Sequence, residues 1–348
     1  MTAAQTKPDG ARRAYYDRIA GLSLAPLWET LHALVPPSPQ SPCVPAHWRY
    51  DQVRPYLMES ADLITAKEAV RRVLILQNPG LGGQAAITHT LFAGLQLIMP
   101  GEVAPSHRHT QSALRFIIEG DGAYTAVDGE KTIMHPGDFV ITPSWTWHDH
   151  GHDGTGPMVW LDGLDIPLVR MLDAGFAENF PEERQPLARP EGDAPARYGA
   201  GLLPVDYAPT SRTSPMFNYP YARTREALEK MRGAEEWDSC HGLKMTYANP
   251  ATGGYAMPTI GAFIQLLPKG FSTAPYRSTD GTVYAVVEGK GRSTIADKVF
   301  EWAPRDVFVA PSWAWQKHEA AGDAVLFSFS DRPVQNALGL WREQRGNR

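Results

Sequence analysis

Histidines in two short segments carry the chemistry that this chain could perform. His107 and His109 flank Arg108 in the first segment, and His148 follows Trp147 in the second. Side chains alternate between the two faces of an extended strand, so His107 and His109 would point in the same direction. A third imidazole from a later strand could then complete one face of a metal ion. The spacing therefore predicts a metal site made of histidines.

The region between residues 71 and 167 has the pattern of the strands that such a site needs. Short alternating apolar runs occupy residues 114–118, 123–127 and 138–142, and turn sequences such as Asp128-Gly129 and Pro136-Gly137 separate them. Alternation bounded by such turns is typical of antiparallel strands. The pattern predicts an antiparallel barrel or sandwich.

The second half of the chain repeats the first. Residues 119–122 correspond to 288–291, and residues 142–147 correspond to 310–315 with paired tryptophans in both copies. Tyr276 and Ser278 stand where the first copy has its two strand histidines, and Gln316 or Lys317 stands where it has the third. The same barrel is therefore expected twice, with the metal ligands lost from the second copy and a packing role for the tryptophans.

Composition excludes several classes of partner. The 348 residues carry a net charge of −5 and show no basic cluster, which argues against nucleic acid. The N-terminus lacks the apolar stretch of a signal peptide, and no apolar run is long enough for a bilayer, so we expect a cytoplasmic protein without a membrane partner. Cys43 and Cys240, the only two cysteines, indicate neither a disulfide framework nor a thiolate zinc site.

The length favours two domains with an extension. We predict an N-terminal helical arm and proline-rich linker over residues 1–70, a metal-binding domain over 71–170, a connecting segment over 171–230 with a short helix at 225–231, and a second domain without metal ligands over 231–348.

The order of the motifs resembles the cupin superfamily. Gly101, the paired histidines, Gly120, the Pro-Gly-Asp turn at 136–138 and His148 follow one another as in its two motifs. Most metal-binding cupins add a glutamate a few residues after the second histidine, but here that position is Ala113. The resemblance therefore implies three neutral ligands, His107, His109 and His148.

A neutral ligand set leaves the full dipositive charge of a metal available to anionic substrate oxygens. Three ligands on one face also leave about three octahedral positions open, enough for a chelating substrate and dioxygen. This arrangement suits ring cleavage by ferrous iron, although zinc could occupy the same three histidines.

A closer resemblance covers nearly the whole chain. Residues 78–83 (NPGLGG), 93–96 (AGLQ), 105–115 and 160–167 (WLDGLDIP) are similar to the gentisate 1,2-dioxygenases and to relatives that open salicylate or 1-hydroxy-2-naphthoate. Membership implies an all-β bicupin of two antiparallel jelly-roll barrels with an N-terminal helical arm, assembled as a homotetramer. It also implies an oxidoreductase that uses Fe(II) to insert both atoms of dioxygen into gentisate, giving maleylpyruvate in the catabolism of aromatic compounds.

The same resemblance assigns substrate contacts. The guanidinium of Arg115 would bind the substrate carboxylate, Gln96 would donate to the same group, and Arg71 would compensate charge at the mouth of the cavity. His150 would accept or return a phenolic proton near neutral pH. Asp162 would either orient His150 or hold the para hydroxyl of gentisate.

Other functions stay open at this stage. Salicylate or 1-hydroxy-2-naphthoate could replace gentisate, since Gly94 is expected to leave space beside Gln96 in the pocket. The metal-free second copy favours a non-catalytic bicupin that binds aromatic acids, whereas the complete first set of histidines opposes it. A zinc or manganese isomerase would keep the fold and consume no oxygen.

Overall fold

The computed structural model describes residues 9–233 and 237–346, and contacts between residues divide the chain into two compact units, 1–40 and 41–348. The first unit contains helices α1 (Gly10–Ala20) and α2 (Leu27–Leu34). Asp9 caps α1 by accepting a hydrogen bond from the backbone N–H of Arg12 at 2.8 Å, and Trp28 Nε1 in α2 donates to the Tyr16 hydroxyl at 2.8 Å. The predicted helical pieces of this region are therefore present, with Pro26 immediately before α2.

Four antiparallel sheets make up most of the second unit, two in each half. The first half has a six-stranded sheet in the order β12 (Asn218–Tyr219), β8 (Phe139–Thr142), β5 (Ala113–Glu119), β10 (Met158–Leu164), β3 (Phe92–Ile98) and β2 (Val73–Ile75). Its five-stranded sheet runs β11 (Ala177–Asn179), β4 (Val103–His109), β9 (His148–His152), β6 (Ala123–Val127) and β7 (Glu130–Ile133). The three predicted strand segments are confirmed as β5, β6 and β8.

The second half repeats this arrangement. Its six-stranded sheet runs β1 (Ala46–Trp48), β19 (Val307–Ala310), β16 (Thr282–Glu288), β21 (Ala324–Ser330), β14 (Gly261–Leu267) and β13 (Leu243–Thr246). Its five-stranded sheet runs β18 (Lys298–Trp302), β17 (Gly291–Ile295), β20 (Gln316–Ala320), β15 (Tyr276–Ser278) and β22 (Glu343–Arg345). The internal repeat that the sequence predicts is thus a repeat of sheet order.

Helices connect and cover the sheets without forming a layer of their own. They are α3 (Tyr50–Leu63), α4 (Ala66–Ala69), α5 (Ile166–Met171), α6 (Asp193–Tyr198), α7 (Tyr221–Arg232) and α8 (Arg332–Ala337), with a 3₁₀ turn at Pro79–Leu81. The helix predicted at 225–231 is the C-terminal part of α7. Among the described residues no helix is long and apolar enough to cross a bilayer. The fold is mostly β.

The two six-stranded sheets pack against each other and share the main apolar core. Leu114, Phe116 and Ile118 of β5 belong to this core, as do Phe327 and Phe329 of β21. The rings of Phe116 and Phe327 stack at 4.1 Å with an angle of 10° between their planes. Because strand side chains alternate, the intervening residues of β5 face the other way, into the interior of the first half. One sheet therefore joins the two halves and also supplies the wall of the site.

A second shared feature is an arginine held between two tryptophans. Arg108 lies 4.4 Å and 4.6 Å from the rings of Trp145 and Trp147, on the strand that carries the paired histidines. In the second half, Arg277 lies 4.5 Å from each of Trp313 and Trp315. The tryptophans are half-buried, and their packing role is to stack on the arginine cation. Because the half without histidines keeps this contact, it belongs to the fold.

Removing the ring at the centre of the shared core should destabilise the protein. Phe327→Ala deletes a fully buried aromatic ring and should lower the free energy of unfolding by about 3–5 kcal/mol, measured by urea denaturation. The control Val299→Ala changes a side chain that is 60% exposed and should cost less than about 0.5 kcal/mol. Equal effects of the two changes would contradict this description of the core.

Candidate metal centre

Strand pairing brings the three predicted ligands together. β4 and β9 are neighbours in the five-stranded sheet, and His107 lies directly opposite His148. His109 follows two residues later on the same face of β4. The centroids of the rings are 4.3 Å apart for His107 and His148, 4.8 Å for His109 and His148, and 5.2 Å for His107 and His109. One possible ligand atom from each residue lies within 4.8 Å of the others.

Backbone carbonyls fix the orientation of each imidazole. The Nδ1 atoms of His107, His109 and His148 lie 3.1, 2.9 and 2.9 Å from the carbonyl oxygens of Pro105, Gln111 and Thr146. A carbonyl can only accept, so Nδ1 of His109 and Nδ1 of His148 carry the proton and their Nε2 atoms keep the lone pair. Histidines that bind metals are usually supported in this way on the nitrogen that does not bind the metal. These residues therefore fit a metal ion.

The surroundings keep the three rings neutral. Burial lowers the pKa of His107 to about 3 and that of His109 to about 4, with smaller effects from the charges of Arg71 and Arg115. Burial also lowers the pKa of His148 well below its ordinary value. A neutral imidazole can offer its lone pair to a cation. Within the described ranges no carboxylate joins the cluster, in agreement with the neutral set implied by Ala113.

Arg71 lies closer to the metal ligands than the sequence suggested. Its Nη2 donates to the carbonyl of Pro105 at 2.9 Å and is 2.6 Å from Nδ1 of His107. A guanidinium can only donate, so Nδ1 of His107 has a donor at 2.6 Å and the carbonyl acceptor of Pro105 at 3.1 Å. Burial lowers the pKa of Arg71 to about 10, so it remains charged at neutral pH. The sequence predicts Arg71 at the mouth of the cavity, but Arg71 lies beside His107.

Arg115 and Asp162 form a buried pair on the opposite wall. They lie directly across from each other on β5 and β10, with Nε of Arg115 3.7 Å from Oδ1 of Asp162. Nη1 of Arg115 donates to Thr142 Oγ1 at 2.6 Å, whereas its Nε has no hydrogen-bond partner in the described part of the chain. Burial lowers the pKa of Arg115 to about 10 and raises that of Asp162 to about 6, and each charge opposes the shift of the other.

The structure answers part of the question about Asp162. Its Oδ1 accepts a hydrogen bond from Nε1 of Trp160 at 3.0 Å. His150 makes no hydrogen bond with it or with any other described residue, although the ring is completely buried. Orientation of His150 by Asp162 therefore has no hydrogen bond to act through in this structure.

His150 has unused hydrogen-bonding capacity that its counterpart lacks. His150 pairs with Thr125 across β9 and β6, and the Thr125 hydroxyl donates to the carbonyl of Asp149 at 3.4 Å. The matching His318 of the second half pairs with Ser293 and bonds to its hydroxyl through Nδ1 at 2.7 Å. Burial, with a smaller effect from Arg115, lowers the pKa of His150 well below its ordinary value. The neutral ring can accept a hydrogen bond from a ligand.

Gln96 completes the wall, and the space beside it is filled. Gln96 is buried on β3 directly opposite Trp160, while Gly94 lies opposite Asp162. A methyl group at Gly94 would overlap the Val73 side chain and would lie 3.3 Å from the ring of Phe92. The expectation that Gly94 leaves open space is therefore wrong, because Val73 and Phe92 occupy it.

The described residues of the second half form no equivalent metal site. Tyr276 lies directly opposite Gln316, as His107 lies opposite His148, so Gln316 and not Lys317 is the counterpart of the third ligand. The Tyr284 hydroxyl donates to Oε1 of Gln316 at 2.8 Å, whereas Lys317 is half-buried and pairs with Glu319 at 3.0 Å.

Sequence reasoning overlooked Thr142, which holds one arm of Arg115. The repeat contained a signal for it, because the matching segment has Ala310 at this position. A polar residue present only in the copy with histidines is expected near the site. The carbonyls that orient the imidazoles left no such signal, since every residue has one.

Comparisons with known proteins agree with this geometry. Residues 94–164 match the family model of the cupin domain. A gentisate 1,2-dioxygenase from Aquipseudomonas alcaligenes is 58% identical over 96% of this chain and 96% of its own length. A 1-hydroxy-2-naphthoate 1,2-dioxygenase from a Nocardioides species is 34% identical over 88% of this chain and 80% of its own. The crystal structure of a salicylate 1,2-dioxygenase from Pseudoaminobacter salicylatoxidans with gentisate has a TM-score of 0.94 and 34% identity, covering 100% of this chain and 97% of that one.

Removal of one imidazole should abolish metal binding. Loss of a group that only supports a metal ligand typically lowers metal affinity by roughly 10–100-fold. His107→Ala removes a ligand itself, so the affinity for a divalent metal should fall by more than that. Equilibrium dialysis followed by elemental analysis measures this. His89→Ala removes an exposed imidazole and should bind metal as the wild type does. Wild-type metal content in His107→Ala would refute the ligand assignment.

Proposed function

This chain belongs to the gentisate 1,2-dioxygenase family, and from that premise we propose that it is an Fe(II)-dependent oxidoreductase that converts gentisate and dioxygen to maleylpyruvate in aromatic catabolism. The observation that carries the proposal is the arrangement of three neutral imidazoles beside Arg115 and His150, which have unused hydrogen-bonding capacity. The protein would work in the cytoplasm.

The finer architecture and the assembly are part of the same proposal. Each half would be a jelly-roll barrel formed by one six-stranded and one five-stranded sheet. The chain would assemble as a homotetramer. The boundaries at residues 70, 170 and 230 stay predictions.

His107, His109 and His148 would hold Fe(II). The bound metal would supply a redox-active Lewis acid at which the substrate and dioxygen react. Because the chain contributes no negative charge at these positions, the carboxylate and ortho hydroxyl of the substrate would meet an undiminished positive charge. Apolar neighbours such as Trp160, Ile117 and Met158 form a buried cluster on the inward side of the wall and would exclude water.

Arg115 would bind the substrate carboxylate. Thr142 holds its Nη1, and Nε pairs with Asp162 at 3.7 Å without a hydrogen bond, so the guanidinium is oriented before the substrate arrives. Arg71 would add a second positive charge from the side of His107, and Gln96 would donate an amide hydrogen bond to the same carboxylate. A planar guanidinium held at one end suits two parallel hydrogen bonds to a carboxylate.

His150 and Asp162 would contact the hydroxyl groups of the ring. His150 is neutral and unpartnered, so it would accept a hydrogen bond from the ortho hydroxyl and take up or return its proton. Asp162 would accept from the para hydroxyl, the group that distinguishes gentisate from salicylate. Loss of the proton would make the ring more electron-rich.

Salicylate and 1-hydroxy-2-naphthoate are the second candidate substrates. Relatives named for these two compounds share the fold or the sequence over most of the chain. The 58% identity to a gentisate enzyme places gentisate first. A non-catalytic acid-binding protein, or a zinc or manganese isomerase, would consume no oxygen with any of the three compounds.

Oxygen uptake tests the proposed reaction. Protein loaded anaerobically with Fe(II) is mixed with gentisate, salicylate or 1-hydroxy-2-naphthoate, and an oxygen electrode is read together with product absorbance. We expect rapid uptake with gentisate. Uptake only with the other two compounds would replace the substrate, and no uptake with any would refute the dioxygenase proposal.

Arg115 and Thr142 should affect substrate capture more than turnover. Arg115→Leu removes a charged hydrogen bond and should raise KM by about 100-fold. Thr142→Val, of nearly the same shape, should raise KM by about 10-fold because Arg115 loses its support. Steady-state kinetics measure both, and metal content should stay at the wild-type level. A fall in kcat with unchanged KM would contradict the assigned roles.

Loss of the His150 imidazole should affect the chemical step. His150→Gln should lower kcat by about 10²-fold or more if the ring transfers the phenolic proton, with Fe(II) content unchanged. Stopped-flow kinetics under single-turnover conditions separate this step from product release. A wild-type rate would show that His150 only fills space.

A further inference from the structure

The interior of the second half keeps several polar side chains within a buried apolar cluster. Tyr284, Gln316 and His318 occupy the positions of Arg115, His148 and His150, and all three are buried. Tyr284 stacks on Phe308, a member of the same apolar cluster. Each polar group that remains in such an interior calls for a partner.

Lys244 is the charged group in this interior without an ionic partner. It lies on β13 between Leu243 and Met245, which pack on the shared apolar core, so its side chain lies on the opposite face. Its Nζ is 5.0 Å from the ring centroid of Phe263 and 5.9 Å from that of Tyr284. No carboxylate of residues 9–233 or 237–346 forms an ion pair with it.

The carboxylates in the neighbourhood of Lys244 are already paired. Asp280 accepts from Nε of Arg332 at 3.1 Å, and Asp238 lies 2.7 Å from Nη1 of Arg345. Burial and, to a smaller extent, the charge of Arg332 lower the pKa of Lys244 to about 7. An added negative charge beside this half-buried lysine would stabilise its ammonium form.

Two oxygen atoms on the same face of this sheet as Lys244 also lack partners among the described residues. Gln265 lies directly opposite Lys244, is 1% exposed, and donates through Nε2 to the carbonyl of His241 at 2.7 Å. That bond leaves Oε1 as a buried acceptor with no donor among the described residues. The hydroxyl of Ser328, which is 0% exposed, also lacks a partner. Ser328 is a diagonal neighbour of Gln265 on the adjoining strand.

We propose that the second half binds a small hydroxycarboxylate. Its carboxylate would pair with Lys244 and accept from Ser328, and its hydroxyl would donate to Oε1 of Gln265. Lys244 is half-buried, so part of its side chain reaches solvent.

Protection of Lys244 from chemical labelling tests the site in the wild-type protein. Reductive methylation of the Fe(II)-loaded protein is followed by peptide mass spectrometry, with glycolate as the probe and equal ionic strength throughout. Glycolate should lower labelling of Lys244 by at least roughly fivefold and leave the exposed Lys290 unchanged. Unchanged labelling of Lys244 at saturating glycolate, or equal protection by chloride, would overturn the proposal.

Variants test the two contacts separately. In titration calorimetry, the wild type and Lys290→Met should bind one more glycolate per chain than Lys244→Met. Glycolate bound in the first half is present in all three proteins, so it does not affect this difference.

Acetate, which lacks the hydroxyl, should bind the wild type roughly fivefold more weakly than glycolate, and Gln265→Leu should remove that difference. The same stoichiometry in Lys244→Met, or equal binding of neutral glycolamide, would refute the site.

Discussion

The pairing of β4 with β9 is the constraint on which the rest of the site depends. It places His107 opposite His148, and strand alternation puts His109 on the same face. Three backbone carbonyls lie beside the Nδ1 atoms, and the three neutral rings converge without a carboxylate from the described residues. Shifting this register by one residue would turn the imidazoles outward. The charge available to a substrate therefore follows from backbone geometry.

The six-stranded sheet of the first half links this site to the stability of the molecule. One face of β5 packs through Phe116 on the second half, and the other face presents Arg115 to the interior. A charged group can be buried there because Thr142 and Asp162 stabilise it. The second half thus supports the wall that holds Arg115.

Local pattern was enough to predict the strands, the repeat and the three histidines, because alternation and turn residues act over a few positions. Contacts between distant strands were not predictable in the same way. The choice between Gln316 and Lys317 needed the register of β15 with β20, and the position of Arg71 beside His107 needed the packing of the segment before β2. Val73 fills the space at Gly94 from a neighbouring strand, which no spacing in the sequence reveals.

The central claim is that three neutral imidazoles alone hold the metal and leave room for a chelating substrate. X-ray absorption spectroscopy of the anaerobic Fe(II)-loaded protein, with and without gentisate, tests it most directly. We predict three imidazole nitrogens as the only protein ligands, with two substrate oxygens added by gentisate. A protein carboxylate or a fourth imidazole on the metal, or a spectrum that gentisate leaves unchanged, would contradict the account.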